Sequence, residues 1–467
     1  MIARKRWAYV IPVAVVMYML AYLDRTNVAV ILPYIGDDFP LSAGAKGLAS
    51  GIFFVGYLVL QIPAAVLAAK WSARKTVLIL MIAWAFAAVL CGLVQSETQL
   101  YLARLLLGLF EGGVWPAVLI LLASWFPQAE RARANALWMT CLPISAILMS
   151  PLSGFMLDHM SWRWVFVLQG LPPLVWAVVW WFAVADRPAR ARWISAAERE
   201  YLEATLRAEE DAKPAFAKQG CDNRGFASSR GLRHPAPRKA GYDNRGFASS
   251  RGLRHPDPRK AGYRQALANR QVLLLVGIYF FWITGFYGFS LWLPSVVKTM
   301  TGGSATAVGF LSAVPYVLAL AGMVACAHWS DRTGNRRLAV TVPLLVAIGG
   351  LLLGNLVHWP AAVQLGLLCV VATGVYMPYG PFWAIPSRVL GIEVVAVAMG
   401  LINALGNLGG FAGPYLVGWL TDVTGTAATG FVVLAAFLAV AAGLAFLGLK
   451  PVTVEGSAHA PAATRHP

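Results

Sequence analysis

About twelve apolar stretches, each of roughly twenty residues or more and separated by polar segments, recur along this chain and set the terms of its fold. A stretch of that length crosses the hydrocarbon core of a bilayer as an α-helix, since no water is there to bond an open backbone. They fall near residues 7–32, 46–68, 76–95, 99–122, 134–157, 164–185, 271–297, 305–327, 338–357, 361–385, 394–418 and 429–449. The chain is 58% hydrophobic and only 13% charged, with a mean hydropathy of +0.63, too apolar for a soluble domain. An all-α polytopic membrane protein is the expected fold class.

The net charge of +17 suggests nucleic acid at first, but its distribution excludes that partner. Arg4, Lys5, Arg6, Lys70, Arg74, Lys75, Arg131, Arg133, Arg332, Arg336, Arg337 and Arg388 fall on one side of the alternating spans, against Lys46, Arg163 and Lys298 on the other. Basic residues collect on the cytoplasmic side, so both termini are expected there, in a cell inner membrane. The basic N-terminus followed by an apolar run reads as an uncleaved first span, because the run outlasts a signal peptide's core and shows no small-residue cleavage site.

The chain divides into a six-helix bundle at 1–185, a polar cytoplasmic linker at 186–270, a second six-helix bundle at 271–450 and a cytoplasmic tail at 451–467. In the linker, residues 195–211 read as a short surface helix with a Ser N-cap. Residues 222–263 are a tandem repeat whose copies differ only where Ala236 becomes Asp257. Rich in Arg, Gly, Ser and Pro, the repeat buries too little apolar surface to offset the entropy of ordering. Attraction to anionic lipid headgroups and a tolerated insertion both fit it. The bundles echo each other at intervals of about 260 residues: Gly154 to Asp158 matches Gly418 to Asp422, and the basic turn after the second span matches that after the eighth. Parallel repeats of this kind place a transporter's site at the bundle interface.

Four charges interrupt the spans. Arg104 and Glu111 stand seven residues apart in the fourth, on one helix face and roughly 10 Å apart along the axis. Asp24 and Arg25 interrupt the first. A charge in hydrocarbon costs about 3 kcal/mol or more unless it faces a partner or a watery cavity, so such residues read as functional. Asp24 and Arg104 lie at matching depths and are expected to pair, leaving Arg25 and Glu111 to face the cavity or to pair with each other. Arg25, always charged and able to donate two parallel hydrogen bonds, suits a carboxylate substrate. Glu111 first and Asp24 second are the candidate proton carriers, because burial and a nearby arginine pull a carboxyl's affinity for protons in opposite directions. A static ion-pair network joining the first and fourth spans is the other reading.

Tyr22-Leu-Asp-Arg-Thr-Asn27, the Arg-Leu-x-x-Gly-x-x-Glu-Gly run from Arg104, and Asn403 to Pro414 give a further handle. With twelve spans and a long central loop, they resemble the anion:cation symporter family of the major facilitator superfamily over nearly the whole chain except residues 187–265. The resemblance implies twelve helices in two six-helix bundles and inward movement of small organic anions, such as sugar acids, tartrate-like dicarboxylates or aromatic acids, with protons. It implies that Tyr22, Tyr57, Trp383 and Asn403 line the substrate site with Arg25, and that Asp331, Arg332, Gly334, Arg336 and Arg337 form a gating motif. The equivalent first-half turn departs from the family pattern, with Ala69, Lys70 and Ser72 in place of its Asp, basic residue and Gly.

No phosphate-binding loop, zinc-protease motif or nucleophile elbow is present, which argues against ATP hydrolysis and an enzyme. Five scattered cysteines and seven histidines without ligand spacing indicate neither a disulfide framework nor a metal site. No cofactor beyond the coupling proton is expected, and no obligate protein partner is evident beside the bilayer. A transporter-like anion sensor and a proton-coupled exporter remain as alternatives.

Overall fold

The structure, a computed structural model, describes residues 5–36, 38–211, 268–357, 359–386 and 392–449. The repeat at 222–263, the tail at 451–467 and Arg388 lie outside the described residues. The first half runs through α1 (Lys5–Ile31), α2 (Ala43–Lys70), α3 (Ala73–Leu93), α4 (Glu97–Gly112), α5 (Val114–Trp125), α6 (Gln128–Met139), α7 (Cys141–His159), α8 (Trp162–Gly170) and α9 (Pro172–Ala183), followed by α10 (Ala196–Asp211). The second half runs through α11 (Arg270–Thr301), α12 (Ala305–Thr333), α13 (Arg336–Leu356), α14 (Ala361–Tyr376), α15 (Tyr379–Trp383), α16 (Ile392–Gly406), α17 (Gly409–Thr424) and α18 (Ala427–Gly448).

Eleven helical stretches among the described residues are long and apolar enough to cross a membrane. The stretch read as one span at 394–418 is instead α16 and α17, parted at Asn407 and Leu408, each half too short to span alone. Gly406, Gly409 and Gly410 weaken the helix there, and the packing exploits it: a Cβ on Gly406 would sit 2.1 Å from the Tyr279 ring, and one on Gly409 2.4 Å from the Phe280 carbonyl oxygen. Prolines break other crossings. Pro116 offers no N–H to the Gly112 carbonyl, so α4 and α5 part at Gly113, two residues after Glu111. Short polar turns start the helices cleanly, with Ser42, Ser72, Ser96, Ser304 and Asn335 each accepting from a backbone N–H of the first turn.

The two halves meet along two seams, α2 against α17 and α7 against α12. The repeated Gly-x-x-x-Asp closes both at the end remote from Lys5. A Cβ on Gly154 would lie 2.2 Å from the Ala305 carbonyl oxygen, and one on Gly418 2.2 Å from that of Ala43. Asp158 then accepts from the N–H groups of Ala305 at 2.9 Å and Thr306 at 2.8 Å. Asp422 accepts from the Ser42 hydroxyl at 2.8 Å and the N–H groups of Ala43 at 2.9 Å and Gly44 at 2.7 Å. Each carboxylate thus caps the positive end of a helix in the opposite bundle. Such an exposed cap contributes about 1 kcal/mol or less, which lets the contact open and reform. Combined Asp158→Asn and Asp422→Asn substitution is expected to widen this end of the molecule. Pulsed-EPR distances between labels on the 32–42 and 425–427 turns would lengthen, and an unchanged distribution would rule the two clamps out as what holds the seams.

The start of the linker is anchored to the first bundle. Arg6 is buried between Glu198 of α10 at 2.7 Å and Glu130 of α6 at 2.6 Å, while Trp193 stacks between Tyr9 and Trp125. Each charge in this cluster has an opposite partner, which offsets its desolvation.

Candidate functional site

Helix geometry decides which of the four intramembrane charges meet. Side chains lean toward the N-terminus of their own helix, and α1 and α4 run in opposite directions. Asp24 on α1 and Arg104 on α4, at equal depth, therefore lean apart. Arg25 and Glu111, displaced along the axis by the seven residues that separate Glu111 from Arg104, lean together.

The contacts follow this geometry. Arg25 Nη2 donates to Glu111 Oε2 at 3.3 Å, with the two residues 3% and 1% exposed. The expected pairing of Asp24 with Arg104 is corrected. Arg104, fully buried, donates to the main-chain carbonyls of Asp24 at 2.9 Å, Arg25 at 3.3 Å and Ala49 at 3.3 Å, tying α1, α2 and α4 together. Both Asp24 carboxylate oxygens are buried without a hydrogen-bond partner, as is Glu111 Oε1.

Arg25 also reaches the other bundle. Its Nη1 donates to the Tyr287 hydroxyl on α11 at 3.2 Å, and its guanidinium lies 4.7 Å from the Tyr57 ring centre, 5.1 Å from Phe53 and 5.7 Å from Tyr22. Rings at those distances stabilise a cation through their negative faces. The Tyr22 hydroxyl bonds that of Tyr376 on α14 at 3.2 Å, and Asn403 on α16 donates to Gln61 on α2 at 3.2 Å. Three hydrogen bonds thus cross between the bundles around one buried centre. Small residues allow the approach: a Cβ on Gly108 would lie 1.9 Å from the Phe53 carbonyl oxygen, and one on Gly112 2.0 Å from that of Tyr57.

Tyr22, Tyr57 and Arg25 therefore share one centre with Glu111, and Asn403 joins it through Gln61. Trp383 stands one layer away, edge-on to Tyr279 at 5.2 Å, in an aromatic wall with Trp282, Tyr379 and Phe382. Gln61, Tyr287 and Tyr376 were not singled out from sequence. A lone amide in the apolar second span was the available signal for Gln61, whereas the two tyrosines sit in runs of aromatics that look alike.

The turn between α12 and α13 is closed on itself. Gly334 takes a left-handed φ of 69°, Arg336 donates to Ser330 at 2.7 Å and pairs with Asp331, and Arg337 lies 3.9 Å from the Phe446 ring centre. Arg332 is exposed. In the first-half turn, which lacks the family's Asp, a carboxylate arrives from elsewhere: Asp186 accepts from the Ser72 hydroxyl at 2.7 Å and the Arg74 N–H at 2.9 Å. Among the described residues no cluster of His, Cys, Asp and Glu suited to a metal is present.

The sequence profile of the Major Facilitator Superfamily matches residues 14–414 and 301–466. A putative tartrate transporter of Agrobacterium vitis is 32% identical over 94% of this chain and 93% of its own length. A quinolone resistance transporter of Acinetobacter baumannii is 29% identical over 90% and 88% of the two chains. The fold matches a crystal structure of a bacterial homolog of the human lysosomal transporter Spinster, inward-facing and unoccupied, with a TM-score of 0.68, 18% identity and coverage of 95% and 97%. Two bundles joined around a buried charged centre, the profile match along the chain and these relatives lead to one assignment: the chain belongs to the Major Facilitator Superfamily and is a multi-pass membrane transporter, not an enzyme.

Proposed function

We propose that this transporter imports an organic carboxylate across a bacterial inner membrane by proton symport, through alternating exposure of the centre between its bundles. Arg25 carries the proposal. It is a buried guanidinium with one N–H on Glu111 of its own bundle and another on Tyr287 of the opposite bundle. A carboxylate arriving there competes with Glu111 for the guanidinium, and protonation of Glu111 frees it. Substrate and proton thereby favour each other's binding, which is the linkage symport requires.

The relative named for tartrate supports an organic acid as cargo. With both termini in the cytoplasm, as the basic-residue asymmetry favours, the Asp158 and Asp422 clamps close the outer side and the centre would open inward. The test is uptake of labelled organic acids by proteoliposomes with the acidic medium outside. Uptake should rise with the pH gradient and collapse with a protonophore, whereas uptake indifferent to both would end the symport reading. Export is the second reading, favoured by the relative named for quinolone resistance. It predicts raised quinolone tolerance in cells that overproduce the protein.

A further inference from the structure

We infer that the cargo is a monoanion, an acid with a single carboxylate and a neutral hydroxylated or aromatic remainder, and that dicarboxylates are excluded. This rests on the organic-acid reading above and narrows it.

The buried centre holds two cations, and one is already committed. Arg104 is fully buried and holds three main-chain carbonyls, one through each nitrogen, so turning it to a ligand would loosen α1 from α2 and α4. Arg25 remains. Its Nε is buried and unpartnered, and its Nη2 is held only by a 3.3 Å contact with Glu111. With Nη1 held by Tyr287, the Nε–Nη2 edge is the fork left to a ligand, and it matches one carboxylate.

Among the described residues the opposing wall shows no second cation. Across residues 271–297, 305–327, 338–357, 361–386, 397–421 and 427–449 the described residues include no Asp, Glu, Lys or Arg. The second bundle meets the centre with the hydroxyls of Tyr287 and Tyr376, the amide of Asn403 and the rings of Tyr279, Trp282 and Phe286. These groups can stack on a ring or bond hydroxyls, but they do not neutralise an anion.

Burial leads the same way: the second carboxylate of a dicarboxylate would lie against neutral rings and hydroxyls, where an unpaired charge is costly. The inference separates this chain from the relative named for tartrate, a dicarboxylate.

The test uses purified full-length protein and sets of acids matched in skeleton: benzoate, phthalate and monomethyl phthalate, and gluconate with glucarate. Binding is read by ligand-induced thermal stabilisation. A monocarboxylate should stabilise the protein, the matching dicarboxylate should bind about a hundredfold more weakly or not at all, and where phthalate fails its monomethyl ester should recover binding. The ester keeps the bulk of phthalate and deletes one charge, so recovery assigns the discrimination to charge. A dicarboxylate that binds as well as its partner would overturn the inference and leave the organic-acid reading intact. Stabilisation by none of these acids would overturn both.

Discussion

Replacing Glu111 with Gln is expected to abolish accumulation driven by a pH gradient while leaving substrate exchange in place. Glutamine has the shape of the protonated acid and still offers a carbonyl oxygen to Arg25, so the centre keeps its packing and one hydrogen bond. It cannot take up or release a proton. One coupled proton turns each pH unit of gradient into about tenfold accumulation, so the wild type should concentrate its substrate while the variant stops near about 1:1. Counterflow between labelled and unlabelled substrate should persist, because the bundles can still exchange states with substrate bound. Asp24 offers the internal comparison, since its carboxylate is equally buried and lacks any hydrogen-bond partner. Undiminished accumulation in Glu111→Gln, together with its loss in Asp24→Asn, would move the coupling site to Asp24.

Arg25→Ala is expected to weaken substrate binding by about thirtyfold or more, on the scale of about 2–5 kcal/mol for truncating one partner of a buried hydrogen-bonded charge pair. The same change strands Glu111 as a buried carboxylate without its 3.3 Å partner, so lost folding stability could mimic lost binding. The double variant Arg25→Ala with Glu111→Gln separates the two effects. Removing both charges avoids the uncompensated ion, whose cost is about 3–5 kcal/mol when only one partner is deleted. The melting temperature should therefore recover in the double variant while stabilisation by carboxylates stays absent. If the double variant still bound acids as tightly as the wild type, Arg25 would have no part in recognition. Arg25→Lys should fall between, since an ammonium keeps the charge but loses the planar fork and its stacking on the rings.

Hydropathy alone located the crossings, because a bilayer demands a continuous apolar run for each and that demand leaves its mark residue by residue along the chain. It did not reveal that one crossing is parted at Asn407 and Leu408. Glycine and proline announce weakness, but whether a helix breaks depends on what fills the gap, here the Tyr279 ring and the Phe280 carbonyl. The four intramembrane charges were legible for the same reason as the spans, since each is an expensive exception to a strong local rule. Their partners were legible only in part, since Arg25 with Glu111 was one of two arrangements left open while Asp24 with Arg104 does not form. Matching depth suggested Asp24 with Arg104, and the opposite lean of side chains on antiparallel helices made it Arg25 with Glu111.

The Gly-x-x-x-Asp echo at Gly154 and Gly418 shows the division most plainly. From sequence it is a repeat and nothing more, while in the structure each glycine admits the other bundle's backbone and each aspartate caps that bundle's helix. By itself the sequence determined the membrane class, the apolar stretches and the charged residues that interrupt them, because these follow from composition and spacing along one chain. Only the tertiary structure decided which charge meets which, that Arg104 holds backbone instead of ligand, and that Tyr287, Tyr376 and Gln61 complete the centre. Those outcomes depend on the tilt, direction and separation of helices far apart in sequence, and no local pattern encodes a distance between them.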